Sequence, residues 1–182
     1  MTTTRTLYLI ACAAPPARRL DVPIRAAQNA GWDVCAILTP SAYRWAREDA
    51  DGEIEALESL TGHPVRWQYK LPSQADVLPA PDAILAAPLT SNSLNKWALG
   101  ISDTLALGLL TEGIGLGLPI VALPHWNDAQ GRHPAAQGSV EILRAAGVTV
   151  LLGGERGFVP PKPRQGNLDA YPWDAAIDAL PS

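Results

Sequence analysis

Six short, mostly apolar runs, separated by helix-patterned or polar segments, limit this fold more than any other feature of the chain. They are Leu7 to Cys12, Asp33 to Leu38, Val65 to Tyr69, Ala83 to Ala87, Leu118 to Leu123 and Val148 to Leu152. Short apolar runs without strict polar alternation read as strands buried on both faces, and such strands belong to parallel sheets covered by helices. The segments between them fit. A helix is expected from about Ala17 to Ala30, stopped by Gly31, and another from Ser41 through Trp45 after Thr39 and Pro40. A polar helix over Gly52 to Leu60, a helix over Leu94 to Gly100 and one over Pro134 to Ala146 complete the pattern. The predicted class is α/β: a doubly wound, Rossmann-like three-layer domain around a six-stranded parallel sheet with right-handed crossovers. At 182 residues the chain suits one such domain, expected over 1–160. The proline-rich stretch 161–182, with an amphipathic segment from Trp173 to Leu180, is expected to dock on it as a tail.

Composition narrows the partners. A net charge of −4 leaves no cationic surplus for a phosphate backbone, so nucleic acid is not expected and small molecules are. Cys12 and Cys35 make neither a disulfide framework nor a zinc pattern, and MTTTRT carries no secretory apolar run, so a cytoplasmic protein without a structural metal is expected. The greasiest stretch, Trp97 to Leu123, is interrupted by Asp103, Glu112, Pro119 and several glycines and reads as a buried helix and strand, so no membrane partner is expected.

In open α/β sheets ligands bind beyond the carboxyl ends of the strands, so the post-strand segments are where chemistry is expected. Thr90, Ser91, Asn92 and Ser93 stand in succession before a helix, offering side-chain donors beside the unpaired N–H groups of its first turn. One N-cap needs one such residue, and four in a row point beyond capping to a polar or anionic ligand. Thr39 and Ser41 stand at another helix start, where capping and phosphate contact fit equally. Asn127, after the fifth run, suits a carboxylate or amide ligand, or a plain turn. Cys12-Ala13-Ala14 after the first run has no G-x-G-x-x-G, and no GKS or GKT occurs, which disfavours the usual dinucleotide and P-loop modes. His63, before a strand, reads as structural or solvent-facing, and Trp97 and Trp126 as core or subunit-contact residues.

The segment Pro88 to Leu110, PLTSNSLNKWALGISDTLALGLL, resembles the signature of the homo-oligomeric flavin-containing Cys decarboxylases, in which a P-A-S-A-N-T motif precedes a helix with a G-I-x-D-x-L pattern. Pro124-His125-Trp126-Asn127, followed by His133-Pro134-Ala135, resembles that family's P-A-M-N segment and the N/H-P-A after it. The family includes phosphopantothenoylcysteine and peptidyl-cysteine decarboxylases. The resemblance runs over about residues 6 to 160. It implies FMN as cofactor, a small-molecule or peptide carboxylate as substrate, and a homotrimer or trimer-based homododecamer. By the same resemblance Thr90, Ser91, Asn92 and Ser93 contact the flavin, Thr39 and Ser41 lie near its phosphate, His125 falls beside its ring, and Asn127 contacts the substrate carboxylate.

Three positions differ from the family pattern. Ala13 and Ala14 stand where the family has a Gly/Ser-rich turn, leaving backbone N–H groups as their contribution to FMN binding. The family's catalytic histidine lies eight residues before the Asp that opens the fourth strand; counting back from Asp82 gives Gln74, whose amide does not exchange protons near neutral pH as imidazole does. The flap after the last strand, Gly153 to Gly157, has no cysteine. His125 and Asn127 are therefore the catalytic candidates, with His125 either packing on the flavin or replacing the lost acid–base group. The implied activity is a redox or decarboxylation reaction on a small carboxylate. The alternatives are a non-catalytic flavin-binding regulatory or interaction protein and, more weakly, a phosphate- or nucleotide-sugar-binding domain without flavin.

Overall fold

Five strands form one parallel sheet in the order β2-β1-β3-β4-β5. They are β1 (Arg5–Ala11), β2 (Trp32–Leu38), β3 (Ala83–Leu89), β4 (Ile120–Pro124) and β5 (Thr149–Val150). The computed structural model describes residues 4–49 and 52–182; Met1 to Thr3, at the front of MTTTRT, and Ala50 and Asp51 fall outside the described residues. Side chains of successive strand residues point to opposite faces, and the burial follows that parity. Leu7, Leu9, Val34, Ala36, Leu85 and Val121 share one core cluster; Tyr8, Ile10, Cys35, Ile37, Ile84 and Ala122 share the other.

Helices α1 (Asp21–Asn29), α2 (Pro40–Glu48), α3 (Glu53–Thr61) and α8 (Trp173–Asp178) cover the first face. The second is covered by α4 (Ser91–Ala98), α5 (Leu105–Gly115) and α7 (Pro134–Ala145), while α6 (Asp128–Gly131) is a single turn after β4. The strands are apolar throughout because both of their faces are buried: all seven residues of β3 are buried. Gly31, at φ +89°, ends the α1 region as expected and turns the chain into β2.

The expected sixth strand does not form. In the segment Val65 to Tyr69 only Val65 is buried, and Arg66 alone pairs with the sheet, accepting from Leu38 N at 2.8 Å and donating to Ala36 O at 3.1 Å. The segment lies at the outer edge of β2, where Arg66 and Gln68 have no second apolar layer to enter. Trp67 leaves the ladder to stack on Tyr43, ring centroids 4.6 Å apart. Smaller differences follow from caps. The first helix breaks into a 3-10 turn, Pro15–Arg19, ahead of α1. The helix expected from Leu94 starts at Ser91, because the Thr90 hydroxyl accepts from Ser93 N. Asp103 lies in the loop between α4 and α5, not on a helix, and takes the Lys96 ammonium.

After β5 the chain closes a tight flap, with Gly153 N donating to Phe158 O at 2.9 Å and Phe158 N to Leu151 O at 3.0 Å. The stretch beyond it crosses the ends of the central strands. Tyr171, Trp173, Ala176 and Leu180 enter the first core cluster, and the Tyr171 hydroxyl, fully inside, donates to Leu123 O at 2.7 Å. No helix among the described residues is long and apolar enough to cross a membrane.

Candidate functional site

The chain leaves β1 toward β2 and leaves β3 toward β4, in opposite directions across the sheet, so the connections diverge and a crevice opens beyond the carboxyl ends of β1 and β3. Two clefts lie there side by side, of about 400 Å³ and about 480 Å³. Each is within the range of small-ligand sites. They share Ala13, Thr90, Ser91 and Gln130, which makes them two lobes of one site.

The first lobe is lined by Ala13, Thr39, Ser41, Thr90, Ser91, Asn92 and Ser93. Three hydrogen bonds pin the ends of four strands around it: Cys12 N donates to Pro88 O, Thr39 N to Ala11 O and His125 N to Leu89 O, each at 2.9 Å. The N-terminus of α4 opens into this lobe, with backbone N–H groups that have no partner in the helix and the positive end of its dipole directed outward. Thr90 and Ser93 also have local duties. The Thr90 oxygen caps α4, accepting from Ser93 N at 3.3 Å, and its hydroxyl donates to Ser93 Oγ at 3.3 Å. Thr39 caps α2 through Ala42 N at 3.4 Å. Ser41, Ser91 and Asn92 have no side-chain hydrogen bond among the described residues. The Cys12 thiol forms part of the floor, and burial holds it neutral by raising its pKa.

The second lobe joins Ala13, Ala14, Thr90 and Ser91 to His125 and Asn127. Burial lowers the His125 pKa and so favours neutral imidazole. Its ring packs against Phe158 of the flap at 5.1 Å and Tyr171 of the tail at 5.6 Å, which fixes its plane. Asn127 caps α6 in a reciprocal box: its Oδ1 accepts from Gln130 N at 2.9 Å while Gln130 Oε1 accepts from Asn127 N at 3.1 Å.

Every flavin or substrate candidate named from sequence thus lines one of the two lobes, and Gln74 does not. It sits exposed on the loop between α3 and β3, where its Oε1 accepts from Leu71 N at 2.8 Å. That loop runs beside α5, with the Tyr69 hydroxyl reaching Ser102 O. His63 is held by Asp33 at 2.8 Å and plays no part in the crevice. Trp97 and Trp126 are core residues. Gln130 was legible as the fourth residue of an N-x-x-Q capping box. Lys162 and Arg164, which also line the second lobe, carried no signal, because only tertiary docking brings the tail there.

A parallel sheet in this order, with a polar crevice at its reversal point, defines a flavodoxin-like α/β domain. The sequence profile of the Flavoprotein family matches residues 18–177, and the chain belongs to that family. Solved structures share the fold. The FMN-dependent cysteine decarboxylase SpaF is 23% identical, with 97% of each chain covered and a TM-score of 0.65. The epidermin biosynthesis protein EpiD from Staphylococcus aureus is 19% identical, with 80% of this chain and 81% of that chain covered and a TM-score of 0.64. A cysteine/cysteine sulfinic acid decarboxylase from an unknown prokaryotic organism is 34% identical over 70 residues, which span 38% of this chain and 19% of that relative's length.

Proposed function

We propose that the chain binds FMN in the two-lobed crevice and acts on a small-molecule or peptide carboxylate by a redox or decarboxylation reaction. The observation that carries this reading is the continuity of the crevice, from the donor-rich mouth of α4 to Asn127, without a side chain filling it. The residues present fit the cofactor. Thr39, Ser41 and the α4 N-terminus supply donors for a phosphate and polyol chain, and of the two backbone donors expected after β1 only the Ala13 N–H has no partner among the described residues, because the Ala14 N–H donates to Cys12 O at 2.8 Å. Ser91 and Asn92 offer side-chain donors and acceptors with no competing partner. When bound, FMN supplies a two-electron acceptor.

The chain's own residues then have separable tasks. Asn127 orients the substrate carboxylate through its amino group, whose direction is set by the capping box. His125, neutral and wedged between Phe158 and Tyr171, is the group able to take a proton near neutral pH. Phe158 and the tail exclude water from its far side. Gln74 is the residue at the family's histidine position, and its amide leaves acid–base work to His125. The catalytic unit in this reading is the domain together with residues 161–182, because the tail builds one wall of the second lobe. Relatives named as cysteine decarboxylases support a cysteinyl substrate, and homotrimer-based assembly belongs to the same reading.

The visible spectrum of the purified protein tests it. Flavin bands, or their appearance on adding FMN, are expected, and Asn92→Ala with Ser93→Ala is expected to weaken uptake by at least tenfold. A protein that stays colourless with excess FMN refutes the reading. One observation favours a second reading, a flavin-binding protein without catalysis: Gln74 cannot serve as the acid–base group. Under it the bound flavin stays oxidised with every cysteine-terminated peptide offered, whereas the first reading expects bleaching and CO₂ release with at least one.

A further inference from the structure

The second lobe presents hydrogen-bond donors and positive charge to a ligand. Asn127 Oδ1 and Gln130 Oε1 are both committed to backbone N–H groups, which fixes each amide's orientation and leaves the two amino groups as donors with no partner among the described residues. The charged residues lining this lobe are Lys162 and Arg164, in a chain whose net charge is −4. Neither is in an ion pair among the described residues. No carboxylate lines the lobe to compete for them.

Their placement is built by the fold. Asp128 N donates to Pro161 O at 2.8 Å, tying the tail to the same single-turn helix that Asn127 caps. Gln165 N donates to Lys162 O at 3.0 Å, closing a turn with Pro163 second and Arg164 third. Arg164 has φ +66°, the one positive φ outside glycine among the described residues. A turn with proline second and a left-handed third residue is the type II form, and glycine or asparagine is the residue that suits its third position. An arginine held there is backbone strain of the kind that collects at ligand sites.

We propose that Lys162 and Arg164, together with the Asn127 and Gln130 amino groups, form an anion subsite that takes the free carboxylate of the substrate. The C-terminal tail thereby selects acids over amides and esters. This rests on the FMN-dependent reading only for the identity of the bound molecule as substrate. Two cations and two amide donors around one lobe match the two oxygens of a carboxylate, which accept from several donors at once.

Calorimetric titration of the flavin-loaded protein at low ionic strength tests the subsite. The probe is a pentapeptide ending in serine, as the free acid and as the C-terminal amide; serine gives the flavin no thiol to oxidise. The acid is expected to bind roughly tenfold more tightly than the amide, with a preference that sodium chloride erodes. Lys162→Ala with Arg164→Ala is expected to remove most of that preference and leave the amide's affinity unchanged, while Arg164→Lys retains part of it. An equal affinity of the wild-type protein for acid and amide overturns the proposal, as does an unchanged preference in the double variant. A double variant that loses FMN but keeps the acid preference also overturns it, assigning the cations to the cofactor phosphate. If the wild-type protein takes up no FMN, the flavin reading fails by itself. Acid preference measured on that flavin-free protein, and its loss in the double variant, would still support the subsite.

Discussion

Tyr171→Phe isolates the bond that ties the tail to the sheet. The hydroxyl is buried and donates to Leu123 O in β4 at 2.7 Å. Phenylalanine keeps the ring in contact with Trp173 at 4.7 Å and with Phe158 and His125 at 5.6 Å, so the substitution removes the hydrogen bond and little packing. The loss is the net worth of the bond plus the cost of stripping a buried carbonyl of that donor, about 1–2 kcal/mol. For a chain of this length that is a fall in Tm of roughly 2–8 °C. Tyr171→Ala removes the ring as well and opens a cavity beside His125, at a cost of about 3–5 kcal/mol. Urea unfolding followed by tryptophan fluorescence measures both, and the two-state slope shows whether the tail unfolds with the sheet. Equal midpoints for wild type and Tyr171→Phe would refute the claim that this bond is uncompensated. A Tyr171→Ala cost no larger than that of Tyr171→Phe would refute the claim that the tail belongs to the cooperative core.

Other expectations follow from single residues. Burial lowers the folded-state pKa of His125 below its ordinary value of 6.5, so its contribution is fully present above about 6.5 and is lost as pH falls toward the folded pKa. Urea midpoints of His125→Phe should therefore fall less steeply than those of wild type as pH is lowered from 6.5, and identical slopes would contradict the shift. Gly157→Ala would place a methyl group 2.2 Å from Gly153 O and 3.0 Å from Leu151 C. Both are backbone atoms, so the flap must move, at about 1–3 kcal/mol, carrying Phe158 away from His125; an unchanged near-ultraviolet dichroism spectrum and Tm would argue against it. Arg164→Gly relieves about 1–2 kcal/mol of left-handed strain and returns part of it as chain entropy, for a net gain of about 0.5–1 kcal/mol. Tm should rise while the acid-over-amide preference falls, and a lower Tm would show that the arginine conformation costs nothing.

Much of the candidate site was legible because caps and ligand donors use the same residue types at the same places. Thr39 and Thr90 are recognisable as helix starts from the polar residues that follow an apolar run, and in a parallel sheet every such start lies at the ligand-binding edge. Sequence alone does not distribute the work: the Thr90 and Ser93 hydroxyls spend one contact on each other, leaving Ser91 and Asn92 as the freer donors. Gln74 was identifiable by counting, yet its exposed place outside the crevice depends on a proline-broken loop whose path no periodicity encodes.

The apolar runs by themselves determined a parallel α/β sheet with two covered faces, because a strand with no polar side chain has only buried surroundings open to it. They did not determine how many runs join the sheet. Val65 to Tyr69 has the residue types of a strand, and whether it pairs depends on an edge position next to β2 and on Trp67 finding Tyr43. The tertiary structure alone brought the tail across the strand ends, through Tyr171 and Pro161, and so set Lys162 and Arg164 in the same lobe as Asn127. Contacts over such sequence distances arise from shape and burial among elements already folded, and local patterns along the chain hold no record of them.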